Sequence, residues 1–387
     1  IMAESVYLDN AATTPLDPRI LESMLPQLGG QRGNPSSLHA LGNAAREALE
    51  QAREYVASFI GASPEEILFT SGGTESDDLA VLGLARSAPA EKRHVVVSRV
   101  EHAAVREAAR RLESEGFEVS WVGVDADCMV DPAEFAASLR PDTALAAVVW
   151  ANNEVGTVEP VQELARLCAE REIPFHSDAV QAAGRIPLDV SEVPVSTLAL
   201  SGHKLYGPQG IGALYARDGV ILEPLVYGGG QEKGLRSGTQ NVAGVVGLGT
   251  AARLAREELD DRVGHERELR DRILAGIEVI PDVRVNGHRE RRLSNNVHLT
   301  VPGVEAESLV LFLDSLGYAI GSGSACSSGG HKASPVLLAM GVPERDAFSV
   351  VRITVGKDNS AEEVDGFLEA LSTAVAQLRE LSPLYAG

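Results

Sequence analysis

Four short runs carry residue types that could do chemistry together. In Ile67-Leu68-Phe69-Thr70-Ser71-Gly72-Gly73-Thr74-Glu75-Ser76 an apolar run meets two glycines, a hydroxyl residue and then a helical pattern. Glycines let backbone N–H groups approach an anion, Thr74 can donate its hydroxyl, and a helix N-terminus adds a favourable dipole, so the run suits a phosphate. Taken alone it is equally an ordinary turn and helix cap. In Pro174-Phe175-His176-Ser177-Asp178-Ala179-Val180-Gln181 a carboxylate stands where a buried strand should end. Asp178 there could pair with a protonated ring nitrogen and keep the ring an electron sink, or serve as a helix cap or structural ion partner. One apolar run later, Ser201-Gly202-His203-Lys204-Leu205-Tyr206-Gly207-Pro208-Gln209-Gly210 puts Lys204 at another strand end. Most lysines are solvated charges, but a lysine among glycines at a buried strand end is a candidate Schiff-base former. An Asp and then a Lys, each at a strand end, suit two groups that reach one flat ring. The fourth run holds Cys326, flanked by Gly321-Ser322-Gly323-Ser324 and Ser327-Ser328-Gly329-Gly330, which predict a flexible, exposed loop. A free thiol with a pKa of about 8.5 is a usable nucleophile once partly deprotonated.

These runs need elements to position them. Apolar β-rich stretches at 67–70, 95–98, 119–122, 145–150, 174–178, 198–200 and 212–215 alternate with amphipathic stretches such as 103–115 and 161–172. Such alternation predicts an α/β domain whose mainly parallel sheet is covered on both faces. Residues 242–278 read as one long, charged, solvated helix bridging two lobes. Strand-like 295–301 and 350–355, with helix-like 306–316 and 361–381, predict a smaller α+β lobe. The division expected is a large domain over 15–260, with 1–14 and 261–387 forming a small domain that carries the Cys326 loop.

Composition narrows the function classes. A formal charge of −21 over 387 residues opposes the phosphate attraction that supplies most nucleic-acid affinity, and no Lys/Arg block offsets it. No nucleic-acid ligand is expected. Cys128, Cys168 and Cys326 are odd in number, widely spaced and free of any C-x-x-C pairing, so neither a disulfide framework nor a metal site is indicated. Cys168, within the apolar stretch 164–169, reads as packing. The apolar runs fall short of the roughly 20 residues a spanning helix needs. With no signal-like pattern at the start, the expectation is a cytoplasmic protein without a membrane partner.

Further runs make a family resemblance specific. Tyr7-Leu8-Asp9-Asn10-Ala11-Ala12-Thr13-Thr14-Pro15, Gly33-Asn34-Pro35-Ser36-Ser37, Glu101-His102-Ala103-Ala104-Val105, Asn152-Asn153-Glu154-Val155-Gly156, Gly228-Gly229-Gly230-Gln231-Glu232, Arg236-Ser237-Gly238-Thr239 and Gly321-Ser322-Gly323-Ser324-Ala325-Cys326 join the cradle, Asp178 and Lys204 runs in order. The chain resembles the NifS/IscS-like cysteine desulfurases, pyridoxal-5'-phosphate (PLP) enzymes with the aspartate-aminotransferase-like PLP-dependent transferase fold. The match extends over nearly the whole chain. Its Ser-Gly-Ser-Ala-Cys run is similar to the branch with an extended catalytic loop, and the Arg-x-Gly-His-His-Cys signature of the other branch is absent.

The resemblance implies roles at the matched positions. Lys204 would link covalently to PLP, and His102 would stack on its ring and assist proton transfer. Asp178 would pair with the ring nitrogen and Gln181 with the ring hydroxyl. Gly73, Thr74, Ser201 and His203 would hold the phosphate, joined by Thr239 from the other subunit, which implies a homodimer. Asn153 would contact cofactor or substrate, and Asn34 with Arg352 would bind the substrate carboxylate. Lysine and aspartate alone would fit an aminotransferase, a lyase or a desulfurase; Cys326 points to the last. It would take sulfur from L-cysteine as a persulfide, release L-alanine and pass the sulfur to an acceptor protein or thiol. A related PLP enzyme, aminotransferase or selenocysteine lyase, and an inactive sulfur-relay scaffold are the alternatives. Members that load an iron–sulfur scaffold often continue past a Leu-Ser-Pro-Leu like that at 381–384, so docking to such a scaffold stays open.

Overall fold

The computed structural model describes residues 5–30, 33–323 and 333–382. In chain order the first elements are β1 (Val6–Leu8), α1 (Pro18–Gly29), α2 (Ala40–Ile60), β2 (Ile67–Thr70), α3 (Gly73–Ser87), β3 (His94–Ser98), α4 (Ala103–Ser114) and β4 (Glu118–Val122). Then come α5 (Pro132–Ser138), β5 (Thr143–Ala147), α6 (Val161–Ala169), β6 (Phe175–Asp178), β7 (Thr197–Ser201) and β8 (Gly212–Ala216). The remainder holds α7 (Val242–Glu257), α8 (Leu259–Gly276), β9 (Arg284–Val285), β10 (Asn296–Thr300), α9 (Ala306–Ser315), β11 (Tyr318–Ser322), α10 (Pro335–Ala339), α11 (Glu344–Ala347), β12 (Val350–Thr354) and α12 (Ala361–Leu381).

A seven-stranded sheet runs β2-β8-β7-β6-β5-β3-β4, and β8 alone is antiparallel to its neighbours. Alternation along its strands sends side chains to opposite faces. Val96 and Ala146 join one apolar cluster, while Val95, Val97, Leu145 and Ala147 join another. With both faces covered, the central strands are continuous apolar runs, which is why they are legible in the sequence. The second sheet runs β1-β11-β12-β10-β9, and its core of Leu299, Ile353 and Phe367 packs with Leu269 and Ile273 of α8. Here β1 pairs in parallel with β11, so the start of the chain closes a sheet built from its end.

The local signals at helix ends explain several boundaries. Asp17 accepts from the Arg19 N–H ahead of α1, and Pro18 takes the first helical position, where no N–H is needed. Ser360 and Glu363 form a reciprocal capping box on α12. The sheets and α12 agree with the sequence expectation. The single bridging helix over 242–278 does not: it breaks at Glu258 (φ −109°, ψ 11°) into α7 and α8. Nor is α7 solvated, since Val245, Leu248, Ala251 and Ala255 are fully buried. Small residues allow this; a Cβ on Gly249 would lie 2.6 Å from the Ala52 Cα of α2. The bunched charges instead cross-tie the junction, where Glu258 accepts from Arg19 at 2.5 Å and from Arg262 at 2.7 Å.

The expected loop at Gly321 and Ser322 is also corrected, because both residues lie in β11. A Cβ on Gly321 would sit 2.8 Å from an Asp9 carboxylate oxygen, so the glycine marks a close approach and not slack chain. Among the described residues, no helix is long and apolar enough to cross a membrane.

Candidate functional site

The C-terminal ends of β6 and β7, with the first turn of α3, open into a cavity of about 300 Å3. Crevices at the carboxyl ends of parallel strands are the usual ligand position in such sheets. Asp178 ends β6, Ser201 ends β7, and a short helical turn over Gly202–Lys204 swings Lys204 into the cavity. From the sequence-predicted set, the cavity wall brings together Gly73, Thr74, His102, Asn153, Asp178, Gln181, Ser201, His203, Lys204 and Arg352. A second hollow shares Gly73, Thr74, Ser201 and His203 with it and adds Ser71, Gly72 and Glu75. At this end Gly73 is packed so tightly that a Cβ would come 2.8 Å from Val180 Cγ2. The negative charge of Glu75 is matched by Arg236 at 2.8 Å.

Lys204 Nζ donates to the Ala11 and Ala12 carbonyls at 2.5 and 2.6 Å, and Gln181 Nε2 donates to Ala11 O at 2.9 Å. The segment before α1 thus holds the amine in place. His102 caps α4 by accepting from the Ala104 N–H at Nδ1 (3.2 Å), which leaves Nε2 as the ring nitrogen that carries a proton. Asp178 Oδ1 accepts from the Val180 N–H at 2.8 Å; burial raises its pKa, while His102, that N–H and Lys204 oppose the rise. Burial, and secondarily Lys204, push the His203 imidazole down to about 4, leaving it neutral at neutral pH. It contacts Thr13 Oγ1 at 3.1 Å.

Arg352 lies in the middle of β12, buried at 2% exposure. It donates to Asp9 Oδ1 at 2.9 Å and to the Asn153 carbonyl at 2.8 Å, which leaves its buried Nε without a hydrogen-bond partner among the described residues. A buried guanidinium with an unspent donor at a cavity wall suits a carboxylate ligand. The whole set fits a flat anionic group: an anion cradle at one end, a carboxylate for a cationic ring atom, and an amine for a carbonyl.

Three expected residues stand apart. Asn34 is exposed, does not line the cavity, and accepts from the Ser36 N–H at 2.9 Å. Thr239 is exposed and also absent from the wall. Cys326 lies outside the described residues. The other two thiols are buried; burial raises the Cys128 pKa and pushes Cys168 up to about 12.

Sequence reasoning misses Asp77 and Asp9. Asp77 lines the cavity, and its carboxylate lies within 4.8 Å of ligand atoms of both His102 and Asp178. It follows Thr74 by three residues on α3, and that spacing on one helix face is the available signal. Asp9 acts at a distance of 343 residues, which no local pattern announces.

Against known proteins, the chain matches the family described as aminotransferase class-V over residues 6–367. It is 45% identical to a cysteine desulfurase IscS of Dictyoglomus turgidum over 383 residues, 99% of this chain and 97% of that protein. A cysteine desulfurase IscS of Methanosarcina thermophila is 43% identical over 98% of this chain and 94% of its own length. Among solved structures, a NifS-like protein superposes with a TM-score of 0.91 at 37% identity, covering 96% of this chain and 100% of that one. A structure of SspA in complex with cysteine gives a TM-score of 0.80 at 36% identity, over 90% of this chain and 98% of that one.

Proposed function

This chain belongs to the aminotransferase class-V family, and from that membership we infer that it is a cysteine desulfurase dependent on pyridoxal phosphate. The observation that carries the reading is the meeting of Lys204, Asp178 and the Gly73-Thr74 cradle in one cavity, in a chain matched end to end by desulfurase relatives. Thr74, the Gly73 backbone, Ser201 and His203 would hold the phosphate, Asp178 the ring nitrogen, Gln181 the ring hydroxyl, and Lys204 the carbonyl carbon. When bound, the cofactor supplies an electron sink for the substrate Cα.

The chain's own groups do the rest. Arg352, oriented by Asp9 and the Asn153 carbonyl, receives the substrate carboxylate on its spare donor. Asn153 lines the wall beside it, and Asn34 would join only if the substrate reaches its exposed position. Lys204 moves the Cα proton, and His102 assists proton transfer from the N-cap of α4. The Cys326 thiolate attacks the sulfur of L-cysteine. The new S–S bond forms as the Cβ–S bond breaks, its electron pair stays with carbon, and after protonation L-alanine leaves. Sulfur then passes from the Cys326 persulfide to an acceptor protein or thiol in iron–sulfur assembly or thiolation. We read 15–260 as the cofactor-holding domain, and 1–14 with 261–387 as the small domain.

Incubation with L-cysteine, PLP and a reducing acceptor tests the reading. Alanine and sulfide are expected in equal amounts, with persulfide mapped by mass spectrometry; 3-mercaptopyruvate in place of alanine, without release of sulfide, would point to an aminotransferase.

A homodimer is expected as well. Thr239 is exposed on a loop that Arg236 ties to Glu75 beside the cradle, so it is available to a partner's phosphate site. On α1, Leu21, Leu25 and Leu28 form an exposed apolar stripe that a second copy could cover. Light scattering at micromolar concentration should give twice the chain mass. A fully active monomer would overturn this.

A further inference from the structure

We propose that Asp77 is a positioning residue that carries the proton of a carboxyl pair, so that the negative charge of the pair rests on Asp178. The proposal deepens the cofactor reading above and rests on it for the use made of Asp178.

Asp77 and Asp178 are both buried, and their carboxyl groups approach within 4.8 Å. Two carboxylates that close in a low-dielectric site do not both ionise near neutral pH. The question is which one keeps the proton. Asp178 has a Val180 N–H donor at 2.8 Å and the cationic Lys204 nearby, and both favour its charged form. Around Asp77 the environment has the opposite sense. Its carboxyl meets His176 Nε2 at 3.2 Å, and His176 is a fully buried imidazole that burial pushes down to about 3, hence neutral. The acidic groups that act on Asp77 are Asp178, Glu101 and its own neighbour Asp78, and they raise its pKa along with burial. Of the other elements that pack against α3, strands β2, β5 and β7 carry no ionisable side chain, β8 carries Tyr215, and α4 brings in the His102 ring, which lies within 4.8 Å of both carboxyl groups and favours the charged form of Asp178.

The backbone explains the arrangement. His176 and Asp178 are two residues apart on β6 and so share one face of the sheet, the face covered by α3. Asp77 meets both from the first turns of that helix. Thr197, the residue paired with His176 on β7, contacts His176 Nδ1 at 2.9 Å. A neutral imidazole has one donor and one acceptor nitrogen. With Nδ1–H donating to Thr197, Nε2 is left as the acceptor nitrogen, and at 3.2 Å it faces Asp77 Oδ1, which can donate the acid proton to it. This chain of neutral groups fixes Asp77 as the acid and leaves Asp178 as the anion at the cavity wall.

The test uses the holoenzyme and the cofactor-free full chain, each as wild type, Asp77→Asn and Asp77→Leu. In the wild type at about pH 8 a carbonyl stretch of a protonated carboxylic acid is expected in the infrared spectrum, and it should vanish in Asp77→Asn. Asn keeps a neutral hydrogen-bonding group, so the pH midpoint of the cofactor's visible band should hold. An ionised Asp77 would instead make that midpoint move by about a unit or more when its charge is deleted. Leu removes the hydrogen-bonding group, and PLP affinity by equilibrium dialysis should fall about tenfold. No carboxylic acid band lost in Asp77→Asn, a shifted midpoint in that variant, or wild-type PLP affinity in Asp77→Leu would each overturn the proposal. If Asp77→Leu does not fold, as judged by thermal unfolding, the two Asn measurements decide. Failure of the wild type to form a visible cofactor band would sink the cofactor reading instead, while the infrared band of the cofactor-free chain still reports on Asp77.

Discussion

Lys204→Ala is expected to lower alanine production by about a thousandfold or more, because it removes both the covalent holder of the cofactor and the base at Cα. Among the described residues, no other lysine lines the cavity. Lys233 donates to the Glu65 carbonyl, and Lys357 is committed to Asp358 and Asp17. The Lys204 amine, by contrast, is held at the wall by the Ala11 and Ala12 carbonyls. The variant should still bind PLP through the phosphate cradle and Asp178, only without a covalent link. Borohydride reduction followed by peptide mapping checks this: cofactor should be fixed at residue 204 in the wild type and nowhere in the variant. Cofactor fixed to Lys204→Ala at another lysine would show that the assignment is wrong.

Cys326→Ser should separate two halves of the reaction. Binding L-cysteine and removing the Cα proton call on Lys204, His102, Asp178 and Arg352, whereas breaking the C–S bond calls on a thiolate at the substrate sulfur. Serine keeps the shape, but its hydroxyl is hardly ionised near neutral pH and is a poor partner for sulfur. Cofactor spectra should therefore still change when L-cysteine is added, while alanine and persulfide fall by about a hundredfold or more. The remaining thiols offer no substitute, since Cys128 and Cys168 are buried and held in their protonated forms. Near-normal alanine production, with persulfide on Cys128 or Cys168, would refute the role given to Cys326.

Much of the scaffold is legible in the amino-acid sequence, for a physical reason. A parallel sheet covered on both faces leaves its strands as unbroken apolar runs, and their ends are marked by the first polar residue that must meet solvent or ligand. Asp178 and Lys204 stand out in that way, as strand-end residues, and Thr74 stands out as the start of a helix after two glycines. What those three residues do together rests on the family resemblance, because a strand end by itself is also an ordinary cap.

Other features depend on contacts that no window of sequence contains. The Lys204 amine is positioned by carbonyls 193 and 192 residues away, and Arg352 by an Asp 343 residues away. Hydrogen bonds of that range are set by how the two sheets meet, not by periodicity. The same holds for β1, whose three residues are too short to signal a strand until β11 lies beside them. Residues 242–278 mislead because dense charge suggests solvation, whereas glycines and alanines let α7 sink against α2 and the charges pair at the break. Asp77 sits in an acidic stretch that resembles surface, and only the packing of α3 on β6 turns it inward. By itself, then, the sequence determined the covered parallel sheet, the strand-end chemistry and the family. Tertiary structure decided which polar groups share the cavity and which of them stand apart, because burial and proximity, the quantities that set charge state, arise only when distant segments pack.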